Sequence, residues 1–209
     1  MSAARIAILD YGMGNLRSVE KALAHVGATA TVTSAQRPIR DAEGLVLPGV
    51  GAFPRAIERI RERGLDELVA ERVAAGVPVL GICLGLQLLF DSSTELAGAA
   101  GLGLLPGPVD RLDAPGLKVP HIGWAPVRWE RESRLTEGID SEAPFYFVHS
   151  FAPEPAPTDL LGSAEYGERF ACAAERGNVF GVQFHPEKSS ASGLRLLANF
   201  AGVCASVPA

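Results

Sequence analysis

Three side chains have the types and settings that nucleophilic chemistry requires: Cys83, His185 and Glu187. A thiol nucleophile needs a base to take its proton, and the base needs a partner that fixes its tautomer; Cys, His and a carboxylate supply those parts. Cys83 lies between Gly81 and Gly85 in the pattern G-x-C-x-G. This is the thiol counterpart of the G-x-S-x-G nucleophile elbow, in which glycines serve because the turn brings two backbones too close for a Cβ. Such a turn aims the thiol outward at the start of a helix, where free N–H groups and the dipole favour a thiolate. The N–H of Leu84 is then a candidate oxyanion donor. A buried Cys packed as a small hydrophobe between two glycines is the competing reading. His185 and Glu187 are separated by Pro186, a stiff spacing that suits an imidazole and a carboxylate held together. H-x-E also opens the zinc deaminase signature, but the P-C-x-x-C half that supplies thiolate ligands is missing.

The elements that must position these groups alternate between strand and helix. Val77, Val79, Leu80 and Ile82 form a short apolar run of the kind that fills a parallel strand covered on both faces; Leu84, Gln87, Leu88 and Leu89 then switch to helical spacing. Val179 to Gln183 reads as a second apolar strand that delivers His185. If it joins the same parallel sheet, His185 and Glu187 arrive at the edge that carries Cys83, where ligands bind in doubly wound folds. Its partner is Ala171 to Ala174, in a hairpin turning at Arg176-Gly177-Asn178.

Upstream, Arg5 to Leu9 predicts a strand, Leu16 to Val26 a helix stopped by Gly27, and Thr29 to Thr33 a second strand. The intervening DYGMGN has two glycines of a dinucleotide-binding loop, but Arg17 occupies the third glycine position and no acid closes the next strand. Gly44 to Leu47 is another strand, ending in PGVGAF. A loop with Gly49 and Gly51 can take φ > 0 and turn its amides to a ligand, so Gly49, Val50 and Gly51 are further candidate oxyanion donors. Phe53, Ile57 and Ile60 mark one helix, and Leu65, Leu68, Val69 and Val73 another. From Ala97 to Pro108 the Gly, Ala and Pro content predicts irregular structure, with a short strand around Val109. Pro120 to Ala125 reads as a loop carrying His121 and Trp124. Val127 to Trp129 and Phe145 to Val148 read as strands, the second ending in His149, Ser150 and Phe151 before the extended connector PEPAP. Ser189 to Ser192 introduce a last helix with Leu194, Leu197 and Ala201 facing inward.

With nearly half of its 209 residues apolar, the chain can bury one large core without staples. The expected fold is a single α/β domain over residues 1–209, a doubly wound, mostly parallel sheet flanked by helices. A net charge of -5 and the lack of any basic run exclude nucleic acid and anionic membrane as partners. Three irregularly spaced cysteines argue against a disulfide framework and against a zinc site, and fit a reducing cytoplasm. Cys172 and Cys204 are read as packing residues, and no apolar run is long enough for a signal or a membrane span.

Together the motifs resemble a family. GICLGLQ around Cys83, PGVG at residues 48 to 51 and HPEKS at residues 185 to 189 resemble the class I (triad) glutamine amidotransferases. Within them, DYGMGN at 10 to 15, PHIGW at 120 to 124 and YFVHS at 146 to 150 resemble the glutaminase subunits of imidazole glycerol phosphate synthases, of histidine biosynthesis. Ala125 departs from that pattern, which usually has Asn after the Trp. The resemblance implies that Cys83 attacks the side-chain amide of L-glutamine, that His185 acts as base and then acid, and that Glu187 orients it. It implies glutamine-binding positions at Gly51, Gln87, Glu95, Ser150 and Phe151, with Glu95 pairing the α-ammonium. It also implies a (β/α)8-barrel cyclase partner, with Asn15, His121, Trp124, Tyr146 and Lys188 near the interface, and no cofactor or metal. Other ammonia-channelling glutaminases, a free-standing γ-glutamyl hydrolase and a non-catalytic module on the same fold are the alternatives.

Overall fold

In the computed structural model, which describes residues 3–206, apolar strands alternate with helices from the N-terminus onward. The first half runs β1 (Arg5–Leu9), α1 (Leu16–His25), β2 (Thr29–Thr33), α2 (Gln36–Arg40), β3 (Gly44–Gly49), α3 (Phe53–Glu62), α4 (Leu65–Ala74), β4 (Val79–Cys83) and α5 (Leu84–Leu88). The second half is strand-rich. It comprises β5 (Phe90–Ser93), β6 (Ala99–Ala100), β7 (Leu105–Arg111), β8 (His121–Pro126), β9 (Arg128–Trp129), β10 (Pro144–His149), β11 (Phe151–Pro153), β12 (Leu160–Tyr166), β13 (Glu168–Arg176) and β14 (Val179–Val182). A 3-10 turn at Pro186–Lys188 and α6 (Ser190–Ala205) complete it.

The main sheet has eight strands in the order β2-β1-β3-β4-β14-β13-β12-β9. The run from β2 to β14 is parallel, and β13, β12 and β9 continue it antiparallel. Because strand residues alternate in direction, each central strand feeds two cores. Ile6, Ile8, Val46, Leu80 and Ile82 pack with Leu23 of α1 and Leu197 and Phe200 of α6 on one face. Ala7, Leu9, Leu45, Leu47 and Val79 pack with Ile57 and Ile60 of α3 and Leu68 of α4 on the other. Burial on both faces is why these strands read as continuous apolar runs. Cys172 and Cys204 are fully buried in the first core, and burial pushes both thiols up, Cys204 to about 12.

Four local expectations are corrected. The helix after Cys83 ends at Leu88, and Phe90 already begins β5. The Gly/Ala/Pro-rich stretch is only partly irregular: it holds β6 and the start of β7, the strand expected around Val109, and with β5 and β11 these form a second sheet in the order β11-β7-β5-β6. Its glycines mark close backbone approach, since a Cβ on Gly101 would lie 2.2 Å from the Phe90 oxygen and one on Gly107 2.1 Å from the Glu154 oxygen. Pro120 to Ala125 is largely strand, with β8 pairing antiparallel to β10 so that His121 opposes His149 and Trp124 opposes Tyr146. In α6 the buried residues are Gly193, Leu196, Leu197, Phe200, Val203 and Cys204, whereas Leu194 and Ala201 are only half-buried. That helix is packed against α1, β1 and β10, so its inward face is wider and rotated from the simple periodic reading.

Candidate active site

The parallel register brings three strand ends to one level. Gly49 of β3 lies beside Cys83 of β4, and Val182 of β14 lies beside Ile82, so the residues that follow on each strand meet at the carboxyl edge of the sheet. Cys83 stands at the junction of β4 and α5 with φ 56° and ψ -112°, a left-handed conformation that a non-glycine residue adopts only when its surroundings impose it. The imposing contacts are visible. A Cβ on Gly81 would lie 2.6 Å from the Gly85 oxygen, and one on Gly85 would lie 1.7 Å from the Leu47 oxygen. These two glycines let strand and helix close on each other, and the elbow expected from G-x-C-x-G follows.

A cavity of about 320 Å³ opens there. Cys83, Leu84 and His185 line it, with Val50 and Gly51 on one side and Gln87, Glu95, Ser150 and Phe151 on the other. Every residue expected to act on or hold a small substrate thus borders one space, except Gly49 and Glu187. Gly49 lies just behind it. It is outside the left-handed region, and its glycine is required because a Cβ would meet the Tyr11 hydroxyl at 2.5 Å and the Leu84 Cβ at 2.9 Å. Gly51, with φ +101°, is the residue of this loop that needs conformational freedom. Tyr11 is buried, and its hydroxyl donates to the Pro48 carbonyl at 2.7 Å, so the peptide before Gly49 is pinned.

Glu187 sits behind the imidazole. Its Oε1 accepts from His185 Nδ1 at 2.9 Å, and both side chains are almost entirely buried. His185 Nε2 has no hydrogen-bond partner and is left available on the ring's other side. Burial pulls the imidazole down, but the Cys83 sulfur and the Glu187 carboxylate together outweigh it, and His185 is raised to about 9. At neutral pH the imidazolium is therefore the favoured form beside the sulfur. The Cys83 thiol itself points toward the Val148 carbonyl at 3.9 Å.

Glu95 reaches the cavity while its Oε2 accepts from the Phe53 N–H at 2.7 Å, at the start of α3. His149 also lines the space and was not singled out as a site residue by the sequence. Its Nδ1 faces the Phe151 carbonyl at 2.9 Å, so it carries a proton there, and its Nε2 accepts from His121 Nδ1 at 3.3 Å. Burial pushes His149 down to about 4 and lowers His121, so both rings are neutral. Together they brace the turn that presents Ser150 and Phe151.

The residues expected near a partner divide. Trp124 is 52% exposed and Ile122 60%, and Lys188 Nζ lies 5.8 Å above the Tyr146 ring next to Trp124. Asn15 is half-buried at the start of α1, with no side-chain capping bond. His121, by contrast, is buried and stacked on Phe147 and Tyr166, so its ring supports the β8–β10 strand pair from behind. Ala125 is buried on the same strand pair. Among the described residues no group of three or more His, Cys, Asp or Glu is arranged to hold a metal ion, and no helix is long and apolar enough to cross a membrane.

The family model described as glutamine amidotransferase class-I matches residues 7–203. The imidazole glycerol phosphate synthase subunit HisH of Moorella thermoacetica is 53% identical over 196 residues, covering 93% of each chain. The subunit HisH of Bacillus cereus (strain G9842) is 48% identical over 198 residues, 95% of this chain and 94% of that one. Among solved structures, PurLQS from Thermotoga maritima superimposes with a TM-score of 0.76 over 97% of this chain and 99% of that one, at 20% identity, a likeness of fold. With a family match over almost its whole length, and the elbow and imidazole in one cavity with the carboxylate behind them, the chain belongs to the class I glutamine amidotransferases, on the branch of the imidazole glycerol phosphate synthase subunits HisH.

Proposed function

We propose that this chain is the glutaminase subunit of an imidazole glycerol phosphate synthase and that Cys83, His185 and Glu187 are its catalytic residues. The observation that carries the reading is the strained Cys83 elbow opening into the same cavity as an imidazole already held by a buried carboxylate. The Cys83 thiolate attacks the side-chain amide carbon of glutamine, and the oxyanion takes N–H donors from Leu84 and from the Gly49-Val50-Gly51 loop. His185 gives its proton to the leaving ammonia, which departs as a γ-glutamyl thioester remains. Water then loses a proton to His185 and attacks the thioester, releasing glutamate and the thiolate. Gly51, Gln87, Glu95, Ser150 and Phe151 hold the substrate, and Glu95 meets its α-ammonium.

Ammonia released into neutral water becomes ammonium and loses the lone pair it needs to attack. A covered route to a synthase partner avoids this. The exposed Ile122 and Trp124, beside Tyr146 and Lys188, support a docking face for a (β/α)8-barrel cyclase that makes imidazole glycerol phosphate. The direct test is glutamate release by the purified chain with and without the cyclase and its nucleotide ligand. Strong stimulation by both is expected, while a rate indifferent to the cyclase would point to a free-standing γ-glutamyl hydrolase or another glutaminase.

The pH profile tests the role of His185. Its raised value means the proton needed by the leaving ammonia is present across neutral pH, so kcat/KM for glutamine is expected to fall only as pH rises through about 9. Glu187→Gln removes a charge that favours the imidazolium, and that limb is expected to move to lower pH. An unmoved limb would remove Glu187 from the triad.

A further inference from the structure

Gln183 was not among the expected site residues. It is fully buried one position beyond β14, in the row that contains Cys83, and it contributes nothing to the lining of the cavity. Its backbone N–H is spent on the Cys172 carbonyl at 2.8 Å. Its side chain lies between two groups, with Oε1 2.9 Å from Gln87 Nε2 and Nε2 3.7 Å from the Cys83 sulfur.

The orientation of these amides follows from one backbone group. Gln87 Nε2 is also 2.9 Å from the Phe151 carbonyl, which can only accept. The Gln87 –NH2 must therefore face that carbonyl, and its second hydrogen points at Gln183. Gln183 must answer with its oxygen, which turns its own –NH2 to the sulfur. A chain of donors thus runs from Gln87 through Gln183 to Cys83, all three buried, where a hydrogen bond to an anion is strengthened.

We propose that Gln183 is a positioning residue for the nucleophile: its amide, locked by Gln87, donates to the Cys83 thiolate and holds the sulfur toward the substrate carbon. A second consequence concerns Gln87. Both of its hydrogens are engaged, so it offers a substrate only its acceptor oxygen, and whatever it touches must be a donor. The ionisable groups around the sulfur are His185 with Glu187 behind it, Tyr11 from the turn after β1, and His149 and Glu95 from the cavity wall. None of them is altered by changing Gln183.

The inference rests on Cys83 being the nucleophile, and the experiment separates the two claims. Alkylation of Cys83 by iodoacetamide is followed by peptide mass spectrometry across pH, beside steady-state glutaminase assays with the cyclase present. Gln183→Met is expected to slow alkylation at pH 7 about tenfold, the effect of losing one charge-assisted donor to the sulfur. Gln183→Glu, with the same shape, sets a carboxylate against the sulfur and is expected to slow alkylation about a hundredfold; it carries the test alone if Gln183→Met does not fold. In both, kcat falls; in Gln183→Glu, which keeps an acceptor for Gln87, KM for glutamine changes less than about twofold. A folded variant with the wild-type alkylation profile, or one in which KM rises at unchanged kcat, would overturn the proposal. Full glutaminase activity in Cys83→Ala would instead overturn the assignment of the nucleophile.

Discussion

Cys83→Ala is expected to lower glutamine hydrolysis at least about 10⁴-fold, leaving only what the cavity and its donors contribute without a nucleophile. The structural argument makes the experiment sharper than loss of activity alone. Cys83 is held at φ 56° between Gly81 and Gly85, and Ala keeps that conformational penalty. Cys83→Gly removes both the thiol and the penalty. It is expected to be as inactive as the Ala variant yet more stable than it by about 1 kcal/mol, measured by urea unfolding. A Gly variant no more stable than the Ala variant would mean that the elbow stores no strain.

Gly85→Ala is expected to be the most damaging single methyl in the chain. The added Cβ would sit 1.7 Å from the Leu47 oxygen, a backbone atom in the middle of β3 that cannot retreat without breaking the β3–β4 register. A cost of about 3 kcal/mol or more is expected, which for a chain of this length is roughly a 10 °C loss in Tm. Activity should fall with it, because the same displacement moves Cys83 and the Leu84 N–H. Gly202→Ala provides the contrast. Gly202 lies exposed in α6 with nothing within 4 Å of the new Cβ, and helix propensity alone predicts a gain of about 0.5–1 kcal/mol. Equal effects of the two substitutions in calorimetry would contradict the close-approach account of the elbow.

The proposed docking face was legible only through resemblance. Read as a lone His beside a lone Trp in a turn-rich stretch, Pro120 to Ala125 has no strand pattern, because Pro120 and Gly123 interrupt the alternation and Ile122 and Trp124 are exposed. Pairing with β10 makes it a strand, and that pairing is a long-range event. It also separates His121, turned into the core, from Trp124, turned out. The four-stranded second sheet was hidden because β5 and β6 are short and without alternation, β7 carries Gly and Pro, and β11 pairs with β7 from a distant part of the chain.

What the sequence by itself determined was the local chemistry. Apolar runs covered on both faces specified the parallel strands, G-x-C-x-G specified a turn that only glycines permit, and His185-Pro186-Glu187 paired its imidazole and carboxylate through a backbone too short to separate them. These are properties of neighbouring residues, set by sterics and hydrogen bonding within a few bonds. The tertiary structure decided whatever depends on distance between segments. It placed β14 beside β4, so that His185 faces the thiol from 102 positions away rather than standing as a loop histidine. It turned Gln183 from a strand residue into a donor to sulfur, gave Gly49 a steric reason in place of a conformational one, and set His149 behind the turn at Ser150 and Phe151. Strand register is a cooperative choice made by the whole sheet, and only that choice brings these groups within hydrogen-bonding range.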